Sequence, residues 1–342
     1  VHDLSLLRGI LPESDAIVYY TASGGRHEEH KKNYHYGTIT PIPGLPPRGV
    51  GLTVVRLPAW YARFVSPTAD RGAVIHAELE YRGVSAKTLE LGGGRFVVAW
   101  PRNSVRDPRY RTKVLTAHHD RVPGTPGALD NSAACVQLVD FLSSEAESFN
   151  TLVVFTDREE LGGLPPAEQG SYAVGKAFAG MGIRAPMVFP FDVTGRGGTI
   201  VLSRAADTLV ARLGKAAEGF GGLSAIVEET DAMAVSLARI MAGRAPVFRM
   251  AVPFGEDLGF ICAGIPALTV TMLPREEAEA LAARSGLPSW ASPSAPGSSM
   301  PATWRCLHGS GDEPGLYTAE AFEVVGRLLS RLSAWRVPAP VA

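Results

Sequence analysis

The stretch Lys113 to Gly162, KVLTAHHDRVPGTPGALDNSAACVQLVDFLSSEAESFNTLVVFTDREELG, decides how the chain is read. Lys113 to Ala117 is a short apolar run of strand type that ends in His118-His119-Asp120. Alternate side chains of a strand face opposite ways, so His118 and Asp120 share a face and His119 does not. A carboxylate beside a histidine can orient the ring and raise its basicity, as around bound metals. A Pro/Gly loop leads to Leu129-Asp130-Asn131-Ser132 and then a helical pattern, with Cys135, Val136, Leu138, Val139 and Leu142 on one face. Asp130, just ahead of that helix, can cap it or bind a cation. Thr151 to Phe155 is a buried-type strand, closed by Asp157-Arg158-Glu159-Glu160. Paired acids at a strand's C-terminal end suit two tasks, one holding a metal and the other moving a proton.

Each cluster alone has a plainer reading: a polar turn, a helix cap, a solvated surface. Three of them at strand ends in one strand–helix–strand unit are harder to obtain by chance. Open α/β sheets gather their ligands outside the carboxyl ends of the strands.

The succession AHHD, GALDNSAACV, TDREELGG and GSY resembles the co-catalytic zinc aminopeptidases of the bacterial leucyl aminopeptidase type. Two further segments fit that resemblance. Pro186 to Asp192 (PMVFPFD) is a strand ending in Asp192 and followed by Val193-Thr194-Gly195-Arg196. Leu307-His308-Gly309-Ser310-Gly311-Asp312 sits where the family carries His-Thr-x-x-Asp, with Gly309 in place of Thr. Gly255 to Leu273 is similar to the family's Ser-Asp-His-x-x-Phe followed by Gly-Ile-Pro-Ala, with Leu258 where the family has His. The likeness runs from about 113 to about 335 and covers roughly two thirds of the chain.

The resemblance implies an α/β fold with a mixed, mostly parallel central sheet flanked by helices on both faces. It implies two zinc ions, with His118 and Asp192 on one, Glu160 and His308 on the other, and Asp130 between them. Glu159 is then the general base, Asp120 the acid behind His118, and a peptide with a free N-terminus the substrate. Asp257, Phe260 and Ile261 are candidates for the substrate pocket, together with Met272 and Trp290 or Trp304. Glutaminyl cyclases share the superfamily and carry a catalytic acid where Asp257 stands, so single-zinc acyl transfer is the alternative. Non-enzymatic receptor ectodomains, which lack the ligands, are a third reading.

Composition agrees with an enzyme of this size. The chain has 342 residues, 46% hydrophobic and 20% charged, which suits one large α/β domain or two small ones. A net charge of -1 with no long basic run gives no reason to expect nucleic acid as a partner. No apolar run reaches the roughly 18 residues of a membrane span. Cys135, Cys262 and Cys306 make no paired framework, and buried free thiols slightly favour the cytoplasm. A processed N-terminus would leave export open, and nothing specifies the oligomeric state.

Outside the core, 1–50 reads as an N-terminal extension with a short helix at Leu4–Ile10 and a strand at Ile17–Tyr20. His27 and His30 belong to a solvated turn rather than a metal site, since no spaced third ligand follows. Residues 51–110 read as a β-rich edge of the sheet, with strands in GLTVVRL, AVIHAELEYRG, KTLELGG and RFVVAW. His76, in the second of these, is expected on the surface of a strand. The catalytic core spans 113–335. Ser/Pro-rich residues 285–304, just before His308, are expected to form a flap over the site.

Overall fold

The computed structural model describes residues 55–160, 165–283 and 300–340. The expected elements at Leu4–Ile10 and Ile17–Tyr20, the rest of the 1–50 extension, and Trp290 with most of the expected flap lie outside these residues.

The central sheet has five strands: β1 (Ala86–Leu91), β2 (Gly94–Ala99), β4 (Lys113–His118), β6 (Thr151–Thr156) and β7 (Met187–Pro190), ordered β1-β2-β6-β4-β7. β4 runs parallel to β6 and β7, whereas β1 and β2 form an antiparallel hairpin at one edge. Beyond β7, single parallel bridges, Val188 to Ala267 and Phe191 to Val270, lead to a three-stranded sheet. It consists of β8 (Thr199–Ser203), β9 (Val247–Met250) and β10 (Val270–Leu273), ordered β10-β8-β9. A short parallel pair, β3 (Ser104–Val105) and β5 (Ser148–Phe149), stands apart.

Alternation along the strands builds two cores. Leu115 and Ala117 of β4, Val153 and Phe155 of β6, and Phe189 of β7 enter one apolar cluster. Val114, Leu152, Val154 and Val188, one residue out of phase, enter the other. A period of two therefore makes continuous apolar runs serve both faces of a sheet buried on both sides. On the first face pack α2 (Arg71–Tyr81), α3 (Ala133–Ser143) and α9 (Ala319–Ala334). On the second lie α4 (Gly170–Ala177), α5 (Ala205–Leu213) and α7 (Glu256–Cys262). A short α1 (Tyr61–Phe64), a long α6 (Leu223–Met241) and α8 (Arg275–Ala282) complete the helices among the described residues.

Helix α9 buries Ala321, Val324, Val325, Leu328, Leu329 and Leu332, a stripe at three- and four-residue spacing. Thr318 caps it: the Oγ1 accepts from the amides of Ala321 and Gly197. Helix α5 stops at Leu213, where Gly214 takes φ +52°.

One expected element changes type. Residues 73–83, read as a strand, lie in helix α2 and the turn that ends it. The alternation of Ile75, Ala77, Leu79 and Tyr81 suggests one strand face, yet Ile75 and Leu79 are fully buried while Tyr81 is 86% exposed. The buried set Arg71, Gly72, Ile75, Glu78 and Leu79 has helical spacing. The Asp70 side chain accepts from the Ala73 amide at 2.9 Å and starts the helix, and Glu78 pairs with Arg82 at 2.7 Å one turn on. Val55 to Leu57, the described end of GLTVVRL, is not in a strand, so among the described residues the β-rich edge reduces to the hairpin and β3. His76 is partly exposed as expected, but on a helix, facing Thr88 and Glu80.

Cys135, Cys262 and Cys306 are free, buried thiols. Among the described residues no helix is long and apolar enough to cross a membrane.

Candidate metal and catalytic centre

Parallel strands β4, β6 and β7 all end at the same rim of the sheet, and each delivers an ionisable side chain there. His118 is the last residue of β4. The turn after β6 carries Glu159 and Glu160. Asp192 lies two residues past β7. Asp130 comes from the irregular turn leading into α3, and His308 from the loop before α9. Three site turns hold non-glycine residues in the left-handed region: Arg158 (φ +65°), Val193 (φ +53°) and His308 (φ +58°). Such backbone costs about 1–3 kcal/mol at each position and concentrates at functional sites.

These turns bring the distant side chains together. Nε2 of His118 is 3.0 Å from Asp130 Oδ1 and 3.6 Å from Asp192 Oδ1. Nε2 of His308 is 2.9 Å from Asp130 Oδ2 and 3.2 Å from Glu160 Oε2. Asp120 stands behind them: its Oδ1 is 3.5 Å from His118 Nδ1, and its Oδ2 accepts the Glu160 amide at 2.9 Å. As strand alternation requires, His119 turns the other way, its Nε2 2.8 Å from the Arg95 carbonyl. Glu159 faces the same space. A methyl group built on Gly255 would lie 3.6 Å from Glu159 Oε1 and 3.2 Å from Asp192 Oδ2.

The electrostatics are those of a cation site. Burial pushes the Glu159 carboxyl well above its usual value; His118 opposes the rise, and Glu160, Asp130 and Asp192 add to it. Burial, followed by Asp130, lifts Glu160 to about 7. Burial works against charge on His308, yet hydrogen bonds to Asp130 and Glu160 outweigh it and carry the ring to about 11. The same competition raises His118, with Glu159 the largest favourable contribution. Asp130 is held well below the carboxylate range by His118 and His308, in spite of burial. Carboxylates packed this closely draw positive charge in, and a divalent cation supplies it without protonating the imidazoles.

The donor set fits zinc. Imidazole and carboxylate are ordinary zinc ligands. Although carboxylate oxygens lie within 3.6 Å, neither nitrogen of buried His118 makes an aligned hydrogen bond, nor does Asp192 Oδ1. Such orphaned atoms are rare in a folded interior, and a bound cation would satisfy them. One donor atom each from His118, Asp130 and Glu160 lies within 4.8 Å of the others.

The expected pocket residues are placed differently from the ligands. Phe260 and Ile261 are fully buried in the second core, where Phe260 stacks on Phe178. Asp257 is also fully buried. Its Oδ2 accepts from Ser203 Oγ at 2.9 Å and Thr269 Oγ1 at 2.7 Å, and its Oδ1 from the Gly255 amide at 3.3 Å. Met272 is enclosed in the first core. Motif position brought these residues into consideration, but the burial of Phe260 and Ile261 depends on how α7 docks on α4, which no local pattern carries.

Two buried charged residues escaped the sequence reading. Arg71 donates to Ser132 Oγ at 2.5 Å and to the Asp120 carbonyl at 3.3 Å, bracing the backs of both ligand turns. It lies two residues ahead of the segment read as a strand. Glu256 accepts from Thr116 and Thr156, on the two strands beneath the site, and burial pushes its carboxyl up to about 7. An acid directly beside Asp257 was the one available signal.

Comparison with protein families matches residues 97–331 to Peptidase family M28. No curated protein matches the chain significantly. Among solved structures, the LapA aminopeptidase of Legionella pneumophila is similar at a TM-score of 0.52 and 15% identity, covering 81% of this chain and 70% of that one. A glutaminyl cyclase of Bacteroides thetaiotaomicron, solved with N-acetylhistamine, is similar at 0.51 and 13% identity, covering 80% and 96%. At these identities the likeness establishes the fold.

Proposed function

We propose that this chain, which belongs to Peptidase family M28 and is a metal-dependent peptidase, removes the N-terminal residue from peptides. The reading is an aminopeptidase with two zinc ions and a glutamate base. The observation that carries it is the placement of Asp130 between two histidines, one on each carboxylate oxygen. A catalytic zinc takes about three protein ligands, such as a His–carboxylate group completed by one further acid. Here His118 with Asp192, and His308 with Glu160, make two such groups, and Asp130 is common to both.

His118 and Asp192 would hold one ion, Glu160 and His308 the other, and Asp130 both. When bound, zinc polarises the scissile carbonyl and lowers the pKa of water. The remaining work falls to the chain's own groups. Glu159, its carboxyl pushed up by burial among other acids, would take a proton from water and return it to the leaving amine. Asp120 lies behind His118, its Oδ1 3.5 Å from Nδ1, and its Oδ2 holds Glu160 through the amide, so one carboxylate adjoins both groups of ligands.

The alternative, zinc-assisted ring closure of an N-terminal glutamine, draws on the shared fold and on the position of Asp257. Full burial of Asp257, with three donors on its carboxylate, weighs against its handling a substrate proton. A substrate panel separates the readings. Free aminoacyl p-nitroanilides should be hydrolysed, their N-acetylated counterparts should not, and a glutaminyl peptide should not be cyclised. Cyclisation without anilide hydrolysis would replace the aminopeptidase reading with the cyclase.

A further inference from the structure

We propose that Asp312 is a positioning residue for the metal centre, holding the peptide that carries Asp130 so that each Asp130 oxygen meets its own histidine. This inference rests on the two-ion reading above.

Asp312 is fully buried. Its Oδ1 accepts the amide of Leu129 at 2.6 Å, and its Oδ2 the amide of Asp130 at 3.2 Å. Its backbone carbonyl takes the next amide back, that of Ala128, at 3.3 Å. One residue thus receives three consecutive N–H groups. Asp130 and Asn131 have non-helical backbone, so the turn has no helical hydrogen-bond ladder to fix it. Charge-assisted bonds to a carboxylate are the strong replacement.

Among the described residues Asp312 makes no ion pair, and an enclosed carboxylate is costly to keep without one. What it gains is geometry. Asp312 lies four residues after His308, and its own amide bonds to Gly309 at 3.2 Å, closing the loop in which His308 stands. The same residue therefore grips the Asp130 turn and closes the His308 loop, and His308 Nε2 meets Asp130 Oδ2 between them. On the far side, Asn131 Nδ2 donates to the Phe191 carbonyl at 2.8 Å, tying the turn to the chain next to Asp192. A rotation of the 129–130 peptide would move both Asp130 oxygens at once. Asparagine at 312 keeps one acceptor but turns an NH2 towards the second amide.

The test is zinc titration by calorimetry on the full chain and on Asp312→Asn, with circular dichroism to confirm folding. The variant should keep its fold, bind the second zinc at least about tenfold more weakly, and lose most of the rise in Tm that zinc gives the parent. Tyr317→Phe is the control. It removes the bond from Tyr317 Oη to the Ala128 carbonyl, 2.7 Å long, and leaves both Asp312 bonds in place. Its zinc affinity should stay within about threefold of the parent. Parental affinity for both ions in Asp312→Asn would overturn the proposal alone. So would equal weakening in Tyr317→Phe, because any loosening of the turn would then suffice. A parent chain that takes up no zinc would sink the two-ion reading together with this one. If Asp312→Asn does not fold, amide exchange in the metal-free parent decides. Slow exchange at Leu129 and Asp130 supports a turn set before metal arrives, and fast exchange overturns it.

Discussion

His308 Nε2 lies 2.9 Å from Asp130 Oδ2, although 178 residues separate the two along the chain. Its partner oxygen, Oδ1, faces His118. The contact joins the loop before the last helix to the turn before α3. It joins the two proposed sets of ligands, and mutations on either side of it should have separable consequences.

Glu159→Gln keeps the shape of the side chain and removes its ability to take a proton. Zinc content should match the parent, and kcat on a leucyl anilide should fall by about two to four orders of magnitude. Parental turnover with full zinc loading would take Glu159 out of the base role.

Asp130→Ala removes the carboxylate shared by both histidines. Elemental analysis of the purified variant should find less than one zinc per chain, with the fold retained by circular dichroism. Unchanged zinc content would show that the histidines and the other acids suffice without a bridge.

Lys113 gives a pH dependence away from the site. It is buried, and its ammonium group donates to the carbonyls of Phe149, at 2.7 Å, and Trp335. Burial, and then Arg336, lower it from 10.5 to about 7. Between these values the unfolded lysine carries a proton that the folded one does not, so folding releases a proton and stability rises with pH. Below about 7 both states are charged and the penalty is complete; above 10.5 both are neutral. At about 1.4 kcal/mol per pH unit the gain amounts to several kcal/mol. Urea unfolding of the parent and of Lys113→Met from pH 7 to 10 should show a rising difference in favour of the parent. Parallel curves would mean that Lys113 remains charged in the fold.

Helix α2 can be checked by a pair of substitutions. On a strand Ile75 and Tyr81 would share a face. On the helix Ile75 is buried and Tyr81 exposed. Ile75→Ala should cost about 2–5 kcal/mol, and Tyr81→Ala less than about 0.5 kcal/mol. Similar losses at both positions would favour the strand.

The contrast between α2 and the metal centre marks what local sequence carries. KVLTAH and TLVVFT are wholly buried strands, and their apolar runs and following turns can be read from a few adjacent residues. The proposed ligand residues stand at the ends of such runs, and the family pattern linked them across the chain. In 73–83 two periodicities compete. Only the Asp70 cap and the packing of Ile75 and Leu79 decide for the helix. Arg71, Glu256 and Asp312 act through partners 61, 140 and 183 residues away, contacts that no window of sequence contains. Phe260 and Ile261 lie in a motif whose position suggests a pocket wall, while docking of α7 against α4 turns them into core.

The most direct test is diffraction at the zinc edge from crystals grown with zinc. The account predicts two anomalous peaks, about 3.5–4 Å apart, flanking Asp130, with His118 and Asp192 on one and Glu160 and His308 on the other. A single peak, or two that leave His308 or Asp192 out of reach, would contradict it.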